Sequence, residues 1–287
     1  MLPQSAIQGA PASIGVRALI AELSELPARP SVAMRVLQLV DDPRTDAARL
    51  GRLVETDPAL AAHTLRLANA PANGMSRRIA SARHAVMVLG FELVRSLAAL
   101  TAGGLLGDDK KAAPPGFWSH SLATAAGSMV VARHTGRSEG DACSAGLLHD
   151  LGAALLFRAA PAVYDQMCAD TADDPILRTA IEEERFELAH PEAGAAVLTQ
   201  WHFPEEMLEV VRDHHRLPMP DTGDLVLVVR AGEAIGDLAV LVDPGESIPD
   251  PVEALRAAGL DAVDDDALPA LVEEVEEQLR ALRSVLA

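Results

Sequence analysis

The sequence predicts an all-α protein, a multi-helix bundle built in two helical halves. Three observations predict it. Alanine and leucine recur throughout, whereas aromatic residues make up only 3% of the chain and β-branched runs are few, which favours helix over strand. Apolar residues return every three or four positions in segment after segment. Capping residues stand where those segments begin, at Ser31, at Asp57 with Pro58 behind it, and at Ser81. With 287 residues, 49% of them hydrophobic, the chain can bury a sizeable core. One run, Leu225 to Val229, also fits a strand, although the alanine-rich sequence after it reads as helix.

Residues 1–15 lack periodicity and read as a leader. An N-terminal helical subdomain is expected over 16–104. In it, SVAMRVLQLVDDP sets Val32, Val36, Leu39 and Val40 on one helical face. Thr45 is expected to cap a helix carrying Leu50, Leu53 and Val54, and Asp57 one carrying Leu60, Ala61, Thr64, Leu65 and Ala68. NAPANGM breaks the pattern, Ser81 caps ARHAVMVLG, and Gly90 ends that helix before FELVRSLAAL begins. A Gly- and Pro-containing connector over 105–116 leads to a second subdomain at 117–242, with helices expected at 120–134, 141–157, 175–186, 191–201 and 204–215. The remainder, 243–287, divides into an acidic linker ending near 266 and a last helix that spaces Leu268, Leu271, Val275, Leu279, Leu282 and Val285 by threes and fours. Its short heptad-like seam has two readings, packing back onto the domain or a homodimer through the last helix.

A formal net charge of −18 argues against nonspecific nucleic-acid binding and against an acidic membrane surface. The excess acid gathers at 182–184, 264–266 and 273–277, while Arg77, Arg78 and Arg83 read as a solvated turn and helix face or as a small basic patch. Two cysteines, Cys143 and Cys168, the lack of a signal-peptide progression, and apolar stretches read as too short to span a bilayer place the chain in the cytoplasm with both thiols reduced.

Histidines interrupt helices that should be apolar. His149 and Asp150 sit inside CSAGLLHDLGAALLF, and a buried carboxylate there needs a metal ion or a cationic imidazole. His214 and His215 close PEEMLEVVRDHH on its apolar face, His190 shares a face with Ala193, Gly194 and Val197, and His120 is turned towards small residues. Each alone reads as a hydrogen-bonded core histidine. Together, on separate helices beside an inward Asp, they read as a site for a divalent transition metal (Fe, Mn or Zn), since packing alone would select apolar residues. His63 and His84 read as structural or surface residues, and His134 and His202 carry no assignment.

The stretch from LPARPSVAMRVLQL through DPAL, LRLAN and IASARHAVMVLG resembles the N-terminal half of the HDOD domain. The second half, from WSHSLATA through AGLLHDLG, HPEAGAAVL and DHH, is similar to the HD-type core shared with metal-dependent phosphohydrolases. The resemblance covers about 16–240. It implies an HD-like bundle with an N-terminal HDOD subdomain, a role in bacterial signal transduction, and one or two metal ions held by His120, His149, Asp150, His190, His214 and His215. Glu233 would supply the final carboxylate where an Asp is usual, with Asp237 one turn later as the fallback. Two departures bear on activity. Ala153 stands where the phosphodiesterases of the wider group carry a lysine, and HHRLPMPDTG replaces their GYP loop. The preferred expectation is therefore a regulator that binds a signalling protein or a nucleotide ligand without turnover. The second is a metal-dependent phosphohydrolase, with Asp150 as its catalytic residue and bridging ligand.

Overall fold

Polar side chains at helix starts accept N–H groups that a first turn leaves unpaired, and they mark where several elements of this chain begin. The computed structural model describes residues 18, 20–21, 31–70, 79–106, 112–171, 175–240, 250–264 and 266–286. The described residues form helices and their connections, with no strand among them. The leader, the LPARP start, Arg77 and Arg78, and 241–249 lie outside the described residues.

Ser31 caps α1 (Val32–Val40) by accepting the Met34 N–H. The next helix, α2 (Ala47–Val54), is capped by Asp46 rather than Thr45; its carboxylate accepts the Arg49 N–H at 2.7 Å, and a negative charge suits a helix N-terminus better than a hydroxyl. Asp57 caps α3 (Pro58–Ala68) and Ser81 caps α4 (Ala82–Ala102). All three early helices pack on α4, which breaks at Gly90 with φ 78° and ψ 167°. By length and composition α4 is apolar enough to cross a membrane, contrary to the sequence reading that no stretch reached that length, but 61% of its apolar window is buried inside the fold. Asp41, at the end of α1, pairs with Arg95 of α4, whose guanidinium lies 5.1 Å over the Phe203 ring and so ties the two halves together.

In the second half α5 (Phe117–Thr135) is the central helix. The single helix expected at 141–157 is two, α6 (Glu139–Leu148) and α7 (Leu151–Ala159), because the backbone leaves the helix at Asp150, with φ −105° and ψ 18°. There follow α8 (Pro161–Thr171), α9 (Pro175–Phe186), α10 (His190–Gln200) and α11 (Glu205–Asp213). The run that also fitted a strand lies in α12 (Asp224–Ala239), where Val226, Val228 and Val229 continue the buried face of the residues behind them. Inside the expected linker, Asp250 caps α13 (Pro251–Ala257), which buries Val252 and Leu255. The last helix, α14 (Leu268–Leu286), packs on α5, α12 and α3, with Leu271, Val275, Leu279 and Leu282 buried. One apolar core runs from Ala33 to Leu282, and a smaller one joins Ala153, Phe157, Tyr164, Met167 and Phe186 from α7 to α9.

Two close approaches position the site. Gly127 of α5 lies against Gly232 of α12, so closely that a Cβ on either would overlap the other helix's backbone. Gly152 of α7 meets the His190 carbonyl at the start of α10 in the same way. Gly127→Ala should therefore destabilise the fold by about 1–3 kcal/mol, read as a lowered urea midpoint. Gly140→Ala, whose Cβ would meet nothing nearer than 3.9 Å, should be neutral or stabilising. Both cysteines are free; Cys143 is buried, and burial with the nearby Glu139 charge pushes its thiol up to about 12. Iodoacetamide at pH 8 should leave Cys143 unmodified in the folded chain and modify it after denaturation, as read by peptide mapping.

Candidate metal centre

Five helix ends meet where α5, α6, α7, α10 and α11 converge, and each brings a residue named from the sequence. His120 lies in the first turn of α5, His149 and Asp150 form the α6–α7 junction, His190 opens α10, and His214 and His215 follow α11. The break at Asp150 matters here, because it lets two adjacent side chains face one cavity. His149, Asp150, His190 and His214 are buried, and the His120 side chain keeps 30% exposure at the rim.

The ring nitrogens divide by role. On one side His149 Nδ1 lies 2.7 Å from the Gly146 carbonyl, His214 Nδ1 2.9 Å from the Val211 carbonyl, and His190 Nδ1 2.6 Å from Glu182 Oε2. Carbonyls and carboxylates accept, so these Nδ1 atoms carry the protons and the Nε2 lone pairs point inward. His120 Nδ1 faces Asp237 Oδ1 at 3.3 Å in the same manner. On the inner side His120 Nε2 and His149 Nε2 are 3.0 Å apart, and His190 Nε2 lies 3.4 Å from His214 Nε2, 3.1 Å from His215 Nε2 and 3.3 Å from Asp150 Oδ1.

Facing lone pairs need a cation between them. A proton on His190 Nε2 could satisfy only one of its three neighbours, and Asp150 Oδ1 is buried without any hydrogen bond. A divalent ion would serve all of them, and imidazole with carboxylate is the donor set of iron, manganese and zinc. Two triads have donor atoms within 4.8 Å of one another, His120 with His149 and Asp150, and His190 with His214 and His215. The His149 and His214 rings, 5.1 Å apart, connect them.

Electrostatics keep five of the donors, His149, His214, His215, Asp150 and Glu233, in ligating form. Burial holds the imidazoles of His149 and His214 below their ordinary range, and that of His215 down to about 3, so all three are neutral near pH 7. Burial works to raise the Asp150 and Glu233 carboxyls, but the surrounding imidazoles hold both low and ionised. For His120 and His190, burial opposes protonation, yet carboxylates overcome it and raise both: Asp237 and Glu233 for the first, Glu182 and Asp150 for the second.

Of the two candidates for the final carboxylate, both reach His120. Glu233 Oε1 lies 3.5 Å from Nε2, on the cavity side, and Asp237 holds Nδ1 from behind. Elsewhere His63 neighbours Arg66 at 2.8 Å, His134 pairs with Glu274 at 3.1 Å, and His84 and His202 are exposed, all apart from the cluster. The sequence reading missed Glu182. It was counted with the acidic run at 182–184, yet it is fully buried, accepts the Tyr164 hydroxyl at 2.8 Å and binds both the backbone N–H and the ring of His190. Its position one turn before the buried Phe186, on the apolar face of α9, was the available signal.

Residues 26–217 match the HDOD domain family. The chain belongs to the HDOD family. An uncharacterized protein of Treponema pallidum (strain Nichols) is 26% identical over 202 residues, 68% of this HDOD chain and 39% of that protein, so the chain spans about two fifths of the curated relative it matches. Among solved structures, a provisionally named phosphohydrolase of Shewanella amazonensis SB2B shares the fold with a TM-score of 0.68 at 22% identity, covering 96% of this chain and 99% of that one. The MmoQ response regulator of Methylococcus capsulatus is similar at a TM-score of 0.51 and 27% identity, over 84% of this chain and 95% of its own.

If Glu182 sets the His190 tautomer, Glu182→Gln should weaken metal affinity by about 10- to 100-fold, read by competition with a chromogenic chelator, while the helical circular dichroism is kept.

Proposed function

We propose that this HDOD chain is a cytoplasmic signal-transduction protein that retains a His/Asp metal centre and acts by binding a partner protein or a nucleotide-class ligand. The observation that carries this reading is the convergence of imidazole Nε2 atoms whose Nδ1 atoms are already held from behind. Such an arrangement suits an ion of iron, manganese or zinc, one or two in number. His120, His149, Asp150, His190, His214, His215 and Glu233 would hold it.

Binding is favoured over turnover by what flanks the centre. Ala153, in the place of the phosphodiesterases' lysine, is only 1% exposed and offers no charge. The turn after His215 is short and presents Leu217 and Met219 to solvent, 82% and 65% exposed, apolar groups that suit a protein contact. A homodimer through α14 would use the face of that helix left free after Leu271, Val275, Leu279 and Leu282 are buried.

The second reading, a metal-dependent phosphohydrolase, is favoured by Asp150, whose unbonded Oδ1 faces the space between the two triads as a bridging ligand would. A bound ion would there lower the pKa of a water and polarise a phosphoryl oxygen. The chain's own residues would orient that ion and exclude bulk water from the buried side.

Elemental analysis of the purified chain, with a nucleotide and phosphodiester hydrolysis screen on wild type and Asp150→Ala, separates the readings. The expected result is bound transition metal in the wild type, at least partial loss in the variant, and no hydrolysis by either. Metal-dependent turnover lost in Asp150→Ala would establish the enzyme instead, and a wild type without metal would remove the centre from both readings.

A further inference from the structure

Beside the histidine cluster, α9 carries a second charged residue whose buried donor lacks an acceptor among the described residues. Arg178 lies on α9 one turn before Glu182, on the helix face whose Glu182 carboxylate reaches into the centre and binds His190. Its Nε is buried without a hydrogen-bond partner, while the charges of Asp150 and Glu182 act on the guanidinium. Glu182 gives that Nε no acceptor, because its oxygens already accept from Tyr164 Oη, His190 N and His190 Nδ1. Yet the Arg178 charge is felt at Asp150, His190 and His215.

Asp150 and Glu182 answer the Arg178 charge, but the buried Nε donor still costs free energy for as long as it lacks an acceptor. The group that joins a planar guanidinium to a metal ion most effectively is a phosphoryl oxyanion, which offers one edge to paired N–H donors and a further oxygen to the ion. Position 153 cannot supply that charge from α7. Its methyl group is in the buried cluster with Tyr164, Met167 and Phe186, which occupies the space a lysine stem would need.

We propose that Arg178 is the anion-binding arm of this centre, and that the ligand it takes is a phosphoryl group held between its guanidinium and the ion on the Asp150 and His190 side. The inference rests on the metal reading above and adds to it the ligand class and the residue that selects it. The positive charge that the sequence lacks at position 153 is delivered instead from α9.

The test uses the full chain loaded with Mn(II), as wild type, Arg178→Gln and Arg178→Lys. Metal content is measured by elemental analysis, and inorganic phosphate binding by isothermal titration. The expected result is equal metal content in all three, phosphate affinity lowered about tenfold or more in Arg178→Gln, and partial recovery in Arg178→Lys. Unchanged phosphate affinity in Arg178→Gln at equal metal content would overturn the proposal, as would a metal-loaded wild type that binds no phosphate. Metal lost together with phosphate in Arg178→Gln would also overturn it, since the arginine would then be a support for the ligands. A wild type that takes up no Mn(II) fails at the elemental analysis, before phosphate is added; that result removes the metal reading and this inference together.

Discussion

The geometry of the centre depends on helices that touch backbone to backbone. Where Gly127 meets Gly232 there is no room for a Cβ, so α5 and α12 lie closer than side chains would permit. The consequence is felt at the rim of the site: with the two axes that close, short carboxylates on α12 reach His120 at the start of α5. Gly152 performs the same service for α7 and α10, bringing Asp150 beside His190. A methyl group at either contact would move cluster residues on two helices at once.

Given that spacing, orientation comes from the atoms behind each ring. Two of the Nδ1 anchors are backbone carbonyls at the ends of the ligands' own helices, Gly146 and Val211, and a helix end has such acceptors free. The other two are carboxylates, Glu182 and Asp237, and these also supply negative charge near the centre. Ligands held by their own helix ends depend only on local folding, whereas His120 and His190 depend on carboxylates from other helices. The two kinds of anchoring explain why burial keeps His149 and His214 neutral, while the carboxylates raise His120 and His190.

Much of this was legible in the sequence because the clustered histidines break a pattern. A histidine on an apolar helical face is visible wherever the three-and-four spacing is clear, and His149, His190, His214 and His215 were all found that way. Glu182 was not, since it lies in a run of three glutamates and only its spacing from Phe186 distinguishes it from its exposed neighbours. The short α13 was hidden by acidic, proline-rich composition, although Asp250 and Pro251 repeat the start signal of Asp57 and Pro58. The break between α6 and α7 was hidden for the opposite reason. Both flanks are strongly apolar and favour helix, and nothing in their propensity marks the break at Asp150. The glycine contacts are likewise a property of pairs of helices, which no single segment records.

Charge decides how the centre and its surroundings fit together. Five imidazoles, neutral once they ligate, leave Asp150 and Glu233 as the anions facing the cavity, since Glu182 and Asp237 are engaged with ring nitrogens on its outer side. A divalent ion would be balanced by those two carboxylates, and Glu182 and Asp237, which keep their charge while accepting from neutral rings, would offset the Arg178 guanidinium. The chain's overall charge of −18 adds little at the centre, because exposed acids on distant helices are screened by solvent. Charge at the centre is therefore set by the four carboxylates beside it. A phosphoryl ligand of the kind proposed would have to bind against those carboxylates, so its binding would depend on the ion and on Arg178 together.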